Sequence, residues 1–321
     1  MATMKALYQE AWGEATDVLK FGPVPALGEP AANQVKVAVR AASLNPIDVK
    51  RADGFANKAG YADETLPIII GYDVAGVVTA VGSDVTRFAV GDAVYGDIIR
   101  TSIANRTGGT VAEAVLVDAD LLAKKPEALS FAAAAALPVA ILTALDSFET
   151  VKLAPGEKLL ITAGAGGVGH IAIQLAKSDV FKAGTVATTA SPAKAEFVKA
   201  AGADVVVDYR SSSPAQELSD YDAVMELTGD MEAVLPVLTP AAAAAGRVAG
   251  IAVFSSSDKW TAIQLAPTGA MLERLAGVLE AGQVKPTVKE FAFDEAGVKA
   301  AVVEMVGGRA LGKIVIVMPT A

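Results

Sequence analysis

Lys158-Leu-Leu-Ile-Thr-Ala-Gly-Ala-Gly-Gly-Val-Gly-His-Ile-Ala-Ile-Gln-Leu-Ala-Lys177 is the stretch on which the fold turns. Leu159 to Ala163 is a short apolar run of the length of a buried strand. It leads straight into Gly164, Gly166 and Gly169, and then into Val168, Ile171, Ala172, Leu175 and Ala176 at helical spacing. A GxGxxG match alone is weak, and strand, glycine turn and helix in succession give it meaning. The glycines allow a tight turn and close approach of the backbone to a pyrophosphate, which the N-terminus of the following helix attracts. The stretch therefore predicts a dinucleotide site at Gly164, Gly166, Gly167, Val168 and Gly169; the alternative is a glycine-rich connection of purely structural purpose.

Outward from this stretch, strands and helices alternate from Lys158 to about Val253. Gly184–Ala190, Val205–Asp208, Ala223–Leu227 and Arg247–Val253 read as strands, and Pro192–Ala201 as a helix. Such alternation predicts a doubly wound parallel sheet. Residues 4 to about 125 instead hold short runs rich in Val and Ala, such as Lys5–Gln9, Gln34–Ala42 and Gly76–Val81. Gly22-Pro23, Gly82-Ser83-Asp84 and Gly91-Asp92 punctuate them as turns, which predicts a barrel or sandwich. Near Pro126 the pattern becomes helical, with Ser130 as N-cap. The last 60 residues hold a helix at Met271–Glu280, a strand at Lys289–Phe293, a helix at Asp294–Val306 and a strand at Lys313–Met318. These are too few to build a core and are expected to return to the N-terminal β region. The expected domains are thus 1–126 with 262–321, and 127–261 between them.

A chain of 321 residues has room for two domains, and 53% hydrophobic against 20% charged residues is globular composition. No apolar run reaches 18 residues, so no membrane span is expected. The start, Met1-Ala-Thr-Met-Lys-Ala-Leu-Tyr8, lacks a signal peptide's hydrophobic block, and a cytoplasmic protein is expected. The absence of cysteine excludes disulfides and thiolate chemistry. A net charge of −9 argues against binding nucleic acid.

The second strand of the alternating region ends Thr188-Thr-Ala-Ser-Pro-Ala-Lys194, with no Asp or Glu at its tip to bond a ribose 2′-hydroxyl. Ser191 offers a hydroxyl and Lys194 a cation to a 2′-phosphate instead, and Tyr209 adds a donor after the third strand. Ser191 also reads as a helix N-cap and Lys194 as a solvated helix residue. The missing acid favours NADP(H).

Five segments together resemble the medium-chain dehydrogenase/reductase superfamily over essentially the whole chain. They are Ala41-Ala-Ser-Leu-Asn-Pro-Ile-Asp-Val-Lys-Arg51, Gly71-Tyr-Asp-Val-Ala-Gly-Val-Val78, Val90-Gly-Asp-Ala-Val-Tyr-Gly96, Ala163–Ala176 and Gly308-Arg-Ala-Leu-Gly-Lys313. The resemblance is nearest to the zinc-independent quinone oxidoreductase branch and, within it, to NADPH-dependent enone and alkenal reductases. It implies an α/β fold, a Rossmann-type doubly wound parallel sheet plus a GroES-like β-barrel catalytic domain. Zinc-dependent relatives carry Gly-His-Glu where this chain has Gly71-Tyr72-Asp73, and a ligand cysteine near Asn45. The single histidine, His170, reads as a surface residue of the first helical turn, so no metal is expected.

By the same resemblance, the Asn45–Lys50 segment lines a cleft beside the nicotinamide, and Lys50 touches cofactor and substrate. Its ammonium suits the charge that develops on a substrate oxygen during conjugate hydride addition; a surface cation is the alternative. Asn45 could bond the carbonyl or the nicotinamide ribose, although Asn before Pro is also ordinary turn chemistry. Tyr72 is a candidate donor or a core aromatic, and Asp48 holds local structure or pairs with Lys50. The resemblance sets Arg309, Gly250 and Ile251 near the cofactor. In the loop Gly54–Thr65, expected to rim the cleft, Phe55 and Tyr61 are candidates to stack on a planar substrate or are loop anchors. Ala114 and Leu145 stand where relatives often carry aromatics. The expected activity is NADPH-dependent reduction of activated C=C bonds in enones or enals. Quinone reduction and a non-catalytic cofactor-binding scaffold are the alternatives. Relatives occur as monomers and as homodimers, and no stretch here favours either.

Overall fold

The computed structural model describes residues 2–58, 65–99 and 108–319. The chain divides into two compact units. One comprises Met1–Val139, Ala266–Glu280 and Thr287–Ala321, and the other Ala140–Leu265 and Ala281–Pro286. The helix Phe131–Ala135 packs on the strands Gln34–Leu44 and Asp73–Val81, which carries the first junction to Val139, beyond the expected 126. Ser130 caps that helix, its hydroxyl accepting from the Ala133 N–H at 3.1 Å.

The second unit holds a parallel six-stranded sheet among the described residues. Its spatial order is Val205–Asp208, Thr185–Ala190, Lys158–Ile161, Ala223–Glu226, Val248–Gly250, Thr261–Ala262. In chain order that is 3-2-1-4-5-6, the doubly wound arrangement whose direction reverses between the first and fourth strands. Leu160, Ala187, Val207, Val224 and Val248 are buried together on these strands. Strands covered on both faces need apolar residues at nearly every position, which is why these segments read as continuous hydrophobic runs.

The first unit is built on the long strand Gln34–Leu44. It pairs antiparallel with Asp73–Val81, with Ala114–Asp118 along its first half and with Lys313–Val317 along its second. Ile314 lies opposite Leu44 and Val315 opposite Ser43, so the end of the chain completes the sheet begun near its start. Val288–Ala292 joins Lys313–Val317 in parallel through the helix Glu295–Gly307. A separate three-stranded sheet runs Lys20–Pro25, Thr3–Gln9, Ile68–Ile69.

That sheet corrects one expectation. Gly22-Pro23 is no turn; it lies inside the strand Lys20–Pro25, with Gly22 opposite Ala6 and Pro23 opposite Lys5. The strand is at the sheet edge, where a residue lacking an N–H leaves no ladder bond unmade.

Candidate functional site: a cofactor turn and a buried charge cluster

In the second unit, the strand Lys158–Ile161 passes through Thr162 and Ala163 into the glycine turn, and the helix Gly169–Lys177 follows. Ala163 adopts a left-handed backbone conformation, φ 51°, which side chains disfavour. Its N–H donates to Thr189 Oγ1 at 2.8 Å, and the Gly164 N–H donates to the Thr189 carbonyl at 3.0 Å. The neighbouring strand thus clamps the bend. A Cβ on Gly164 would stand 2.1 Å from Thr188 Oγ1, and one on Gly169 2.4 Å from the Ala163 carbonyl oxygen. A Cβ on Gly166 would meet only that carbonyl oxygen, at 3.3 Å. Gly169 therefore lets helix and strand touch and Gly164 lets the two strands close up, while Gly166 is the least crowded of the three. An open backbone face at a helix N-terminus fits a pyrophosphate.

The strand tips fit the rest of a phosphorylated dinucleotide. Ala190 pairs with Asp208, so the residues following these two strands leave the sheet side by side. They include Ser191, 6% exposed, the half-buried Lys194, and Tyr209, 58% exposed. The Ser191 hydroxyl does not cap the turn Pro192–Lys194, so the N-cap alternative is not realised. Thr185–Ala190 ends without a carboxylate at its tip. Hydroxyl, ammonium and phenol are donors suited to a 2′-phosphate.

Gly250 ends its strand in contact range of Met231 and Val253, and the Ile251 N–H donates to the Glu226 carbonyl at 3.0 Å. Buried Glu226 organises the next loop. It accepts from the Thr162 hydroxyl at 3.1 Å, from the Thr228 hydroxyl and N–H, and from the Gly229 N–H at 2.6 Å. Thr162, Thr189 and Glu226 carry no motif of their own and were not anticipated; each is polar at the end of an apolar strand, which is the one available signal. His170 corrects another expectation. It is 1% exposed, its Nδ1 paired with the Gly166 carbonyl at 2.7 Å and its ring 5.8 Å from that of Phe197. A helix lying against a sheet buries its first turn along with the rest.

In the first unit, Asn45 precedes the helix Pro46–Ala52. The Asp48 carboxylate reaches back to accept from the Asn45 N–H at 2.7 Å, satisfying a donor at the helix start. The Asn45 side chain is engaged elsewhere: Nδ2 donates to Asp73 Oδ2 at 2.8 Å, and Oδ1 accepts from the Lys313 ammonium. Lys313 also donates to Asp73 Oδ2 at 3.2 Å. Asp73 Oδ1 accepts from the Val139 N–H at 2.7 Å. Asp48, Asp73, Asp97, Arg51 and Lys313 are all buried. Burial, with a contribution from Asp73, pushes Asp48 up to about 7, against the opposing bond from the Asn45 N–H. Burial and then Asp73 also hold Asp97 well above the ordinary carboxyl range.

Lys50 and Tyr72 differ sharply. Lys50 is exposed in the last turn of its helix, and among the described residues no hydrogen bond or ion pair holds its ammonium. The pairing of Asp48 with Lys50 does not form, since Asp48 is buried and committed to Asn45. Tyr72 is 3% exposed, with the Arg51 guanidinium 5.3 Å from its ring centre. Arg309 is exposed, immediately after Gly308 ends the helix Glu295–Gly307. Tyr61 lies outside the described residues, as does much of the loop around it. The fold thus brings Asn45, Asp73 and Lys313 together, while Lys50 and Arg309 stand at the surface. Among the described residues no group of three His, Cys, Asp or Glu side chains is placed to hold a metal ion.

Residues 31–127 match an alcohol dehydrogenase GroES-like domain, and residues 167–292 a zinc-binding dehydrogenase domain. The chain is 39% identical over 317 residues to a 2-methylene-furan-3-one reductase of Solanum lycopersicum, covering 98% of this chain and 79% of that one. It is 36% identical to a chloroplastic NADPH-dependent alkenal/one oxidoreductase of Arabidopsis thaliana, over 89% of this chain and 72% of the relative. The quinone oxidoreductase of Coxiella burnetii has a similar structure, with a TM-score of 0.83 and 31% identity over 99% of this chain and all of that one. The glycine turn on its 3-2-1-4-5-6 sheet and the returning C-terminal strand of the GroES-like unit agree with these matches. The chain belongs to the medium-chain dehydrogenase/reductase superfamily, in its quinone oxidoreductase and enone reductase branch.

Proposed function

We propose that the protein is an oxidoreductase that uses NADPH to reduce the activated C=C bond of enones and enals, without a metal. The observation that carries this reading is the tip of the strand Thr185–Ala190, which bears no carboxylate and leads into Ser191 and Lys194, with Tyr209 following the neighbouring strand, beside the glycine turn. It occurs in a chain 39% identical over 317 residues to a furanone reductase. NADPH supplies the hydride when bound. Gly164, Gly166, Gly167, Val168 and Gly169 would hold the pyrophosphate, and Ser191, Lys194 and Tyr209 the 2′-phosphate. Gly250, Ile251 and Arg309 would serve the rest of the cofactor.

The side chains must then stabilise negative charge on the substrate oxygen. Lys50 is suited to this: its ammonium is exposed and uncommitted among the described residues. Asn45 keeps one Nδ2 hydrogen beyond its bond to Asp73, and Tyr72 is a second donor. A proton delivered to the α-carbon by water or a side chain would balance the hydride that bound NADPH supplies and complete the reduction of the C=C bond.

Turnover of a small enone and of a naphthoquinone, each with NADPH and with NADH, tests the reading. Fastest turnover of the enone with NADPH is expected. Faster quinone turnover would move the protein to quinone reduction, the activity in the name of the Coxiella burnetii relative. No oxidation of NADPH with either substrate would overturn both. The reading includes a cytoplasmic location and a monomer or homodimer, which fractionation and sedimentation test.

A further inference from the structure

Lys313 opens the strand Lys313–Val317, and only 3% of it is exposed. A buried ammonium is tolerated only where its bonds replace lost water. Its partners are Asn45 Oδ1 and Asp73 Oδ2, and Asn45 Nδ2 donates to the same Asp73 oxygen. This closed triangle dictates the orientation of the amide. A flipped Asn45 would turn its N–H groups toward the ammonium and its oxygen toward the carboxylate. Asp73 cannot move to accommodate such a flip, because its other oxygen accepts from the Val139 N–H. Asn45 is also held by its main chain, through the bond to Asp48. With one Nδ2 hydrogen bound to Asp73, the second remains as a donor.

We propose that Lys313 is a positioning residue. Its buried ammonium sets the side-chain amide of Asn45 so that one Nδ2 hydrogen is presented as a donor to the substrate or the nicotinamide ribose. The catalytic part of this inference rests on the role of Asn45 proposed above. Lys313 itself touches neither substrate nor cofactor.

The test uses the full-length protein with Lys313→Met. Where the single variant fails to fold, the charge-balanced Lys313→Met/Asp73→Asn double variant replaces it and is read against Asp73→Asn alone, so that the difference between the two reports Lys313. The first readout is the pair of Asn45 side-chain amide signals in a nitrogen–proton correlation spectrum, assigned by their loss in Asn45→Asp. In the unsubstituted protein the hydrogen bound to Asp73 is expected to exchange slowly with solvent and the other to exchange faster. In the variant that protection is expected to be lost and both signals to shift. The second readout is enone turnover, where kcat is expected to fall at least ten-fold; an unchanged KM for NADPH marks the substrate as the partner of the Asn45 hydrogen, and a raised one marks the nicotinamide ribose. Unaltered Asn45 signals in a folded variant would overturn the positioning, and altered signals with full kcat would overturn its part in catalysis. If the unsubstituted protein reduces no enone, the proposed function falls, and the amide signals still decide the positioning.

Discussion

The glycine turn and the Asn45–Asp73–Lys313 cluster are made of opposite materials. The turn is backbone, assembled from residues within one strand–turn–helix unit and one neighbouring strand, and it works by leaving side chains out. The cluster is side chains, drawn together from positions 28 and 268 residues apart, and it works by putting charges in. The first fails when an atom is added. The second fails when one is removed, because each member is the solvent of the others.

The sharpest way to break this contrast is Asp73→Ala. It strips a partner from Lys313, Asn45 and the Val139 N–H at once and leaves a buried ammonium without its counter-ion. A loss of about 3–5 kcal/mol in unfolding free energy is expected by chemical denaturation.

At the turn, Gly169→Ala drives a methyl group into the Ala163 carbonyl. It should cost about 1–3 kcal/mol and abolish measurable NADPH binding by fluorescence titration. Gly166→Ala is its control. With a single contact of 3.3 Å to relieve by a small shift, it should weaken NADPH binding while lowering the thermal midpoint far less than Gly169→Ala.

Within the cluster, Asp48 gives a pH signature that the uncharged turn cannot. Its folded carboxyl holds a proton up to about 7, against an ordinary value of 3.8. Between these values the folded chain binds more protons than the unfolded chain. Its contribution to stability is therefore complete below the lower value and is lost as pH rises through the upper one. The expected slope is at most about 1.4 kcal/mol per pH unit in that window. Asp48→Asn, which still offers an oxygen to the Asn45 N–H, should make the denaturation midpoint less steep against pH, with Asp97 left to contribute in the same direction.

The smallest effect belongs to the strand edge beside the turn. Ser191→Ala with Lys194→Ala should reduce the preference for NADPH over NADH about ten-fold in KM, the worth of roughly one charge-assisted hydrogen bond. Equal preference before and after would remove both residues from the 2′-phosphate site.

The turn was legible because its code is short. Gly164, Gly166 and Gly169 sit between Leu159–Ile161 and the helical pattern of Ile171–Ala176, and each element declares itself within a few residues. Gly22-Pro23 misled for a related reason: the pair is a turn signal in isolation, and only an edge position in a sheet makes it strand. His170 misled because the residue ranks as polar, whereas its place at the start of a helix packed on a sheet buries it. Asn45 and Lys50 lie on one short motif, and the fold treats them differently, one held by a buried charge pair and the other exposed at the surface.

By itself the sequence determined the alternation of strands and helices, the dinucleotide turn, the missing acid that favours NADP(H), and the want of cysteine and spare histidine for zinc. These follow from local patterns and from residue types, which no rearrangement of the chain alters. Tertiary structure alone decided that the cation opening the last strand would meet Asn45 and Asp73. That meeting depends on Ile314 pairing with Leu44, a register set by long-range burial, and no pattern near either residue encodes it.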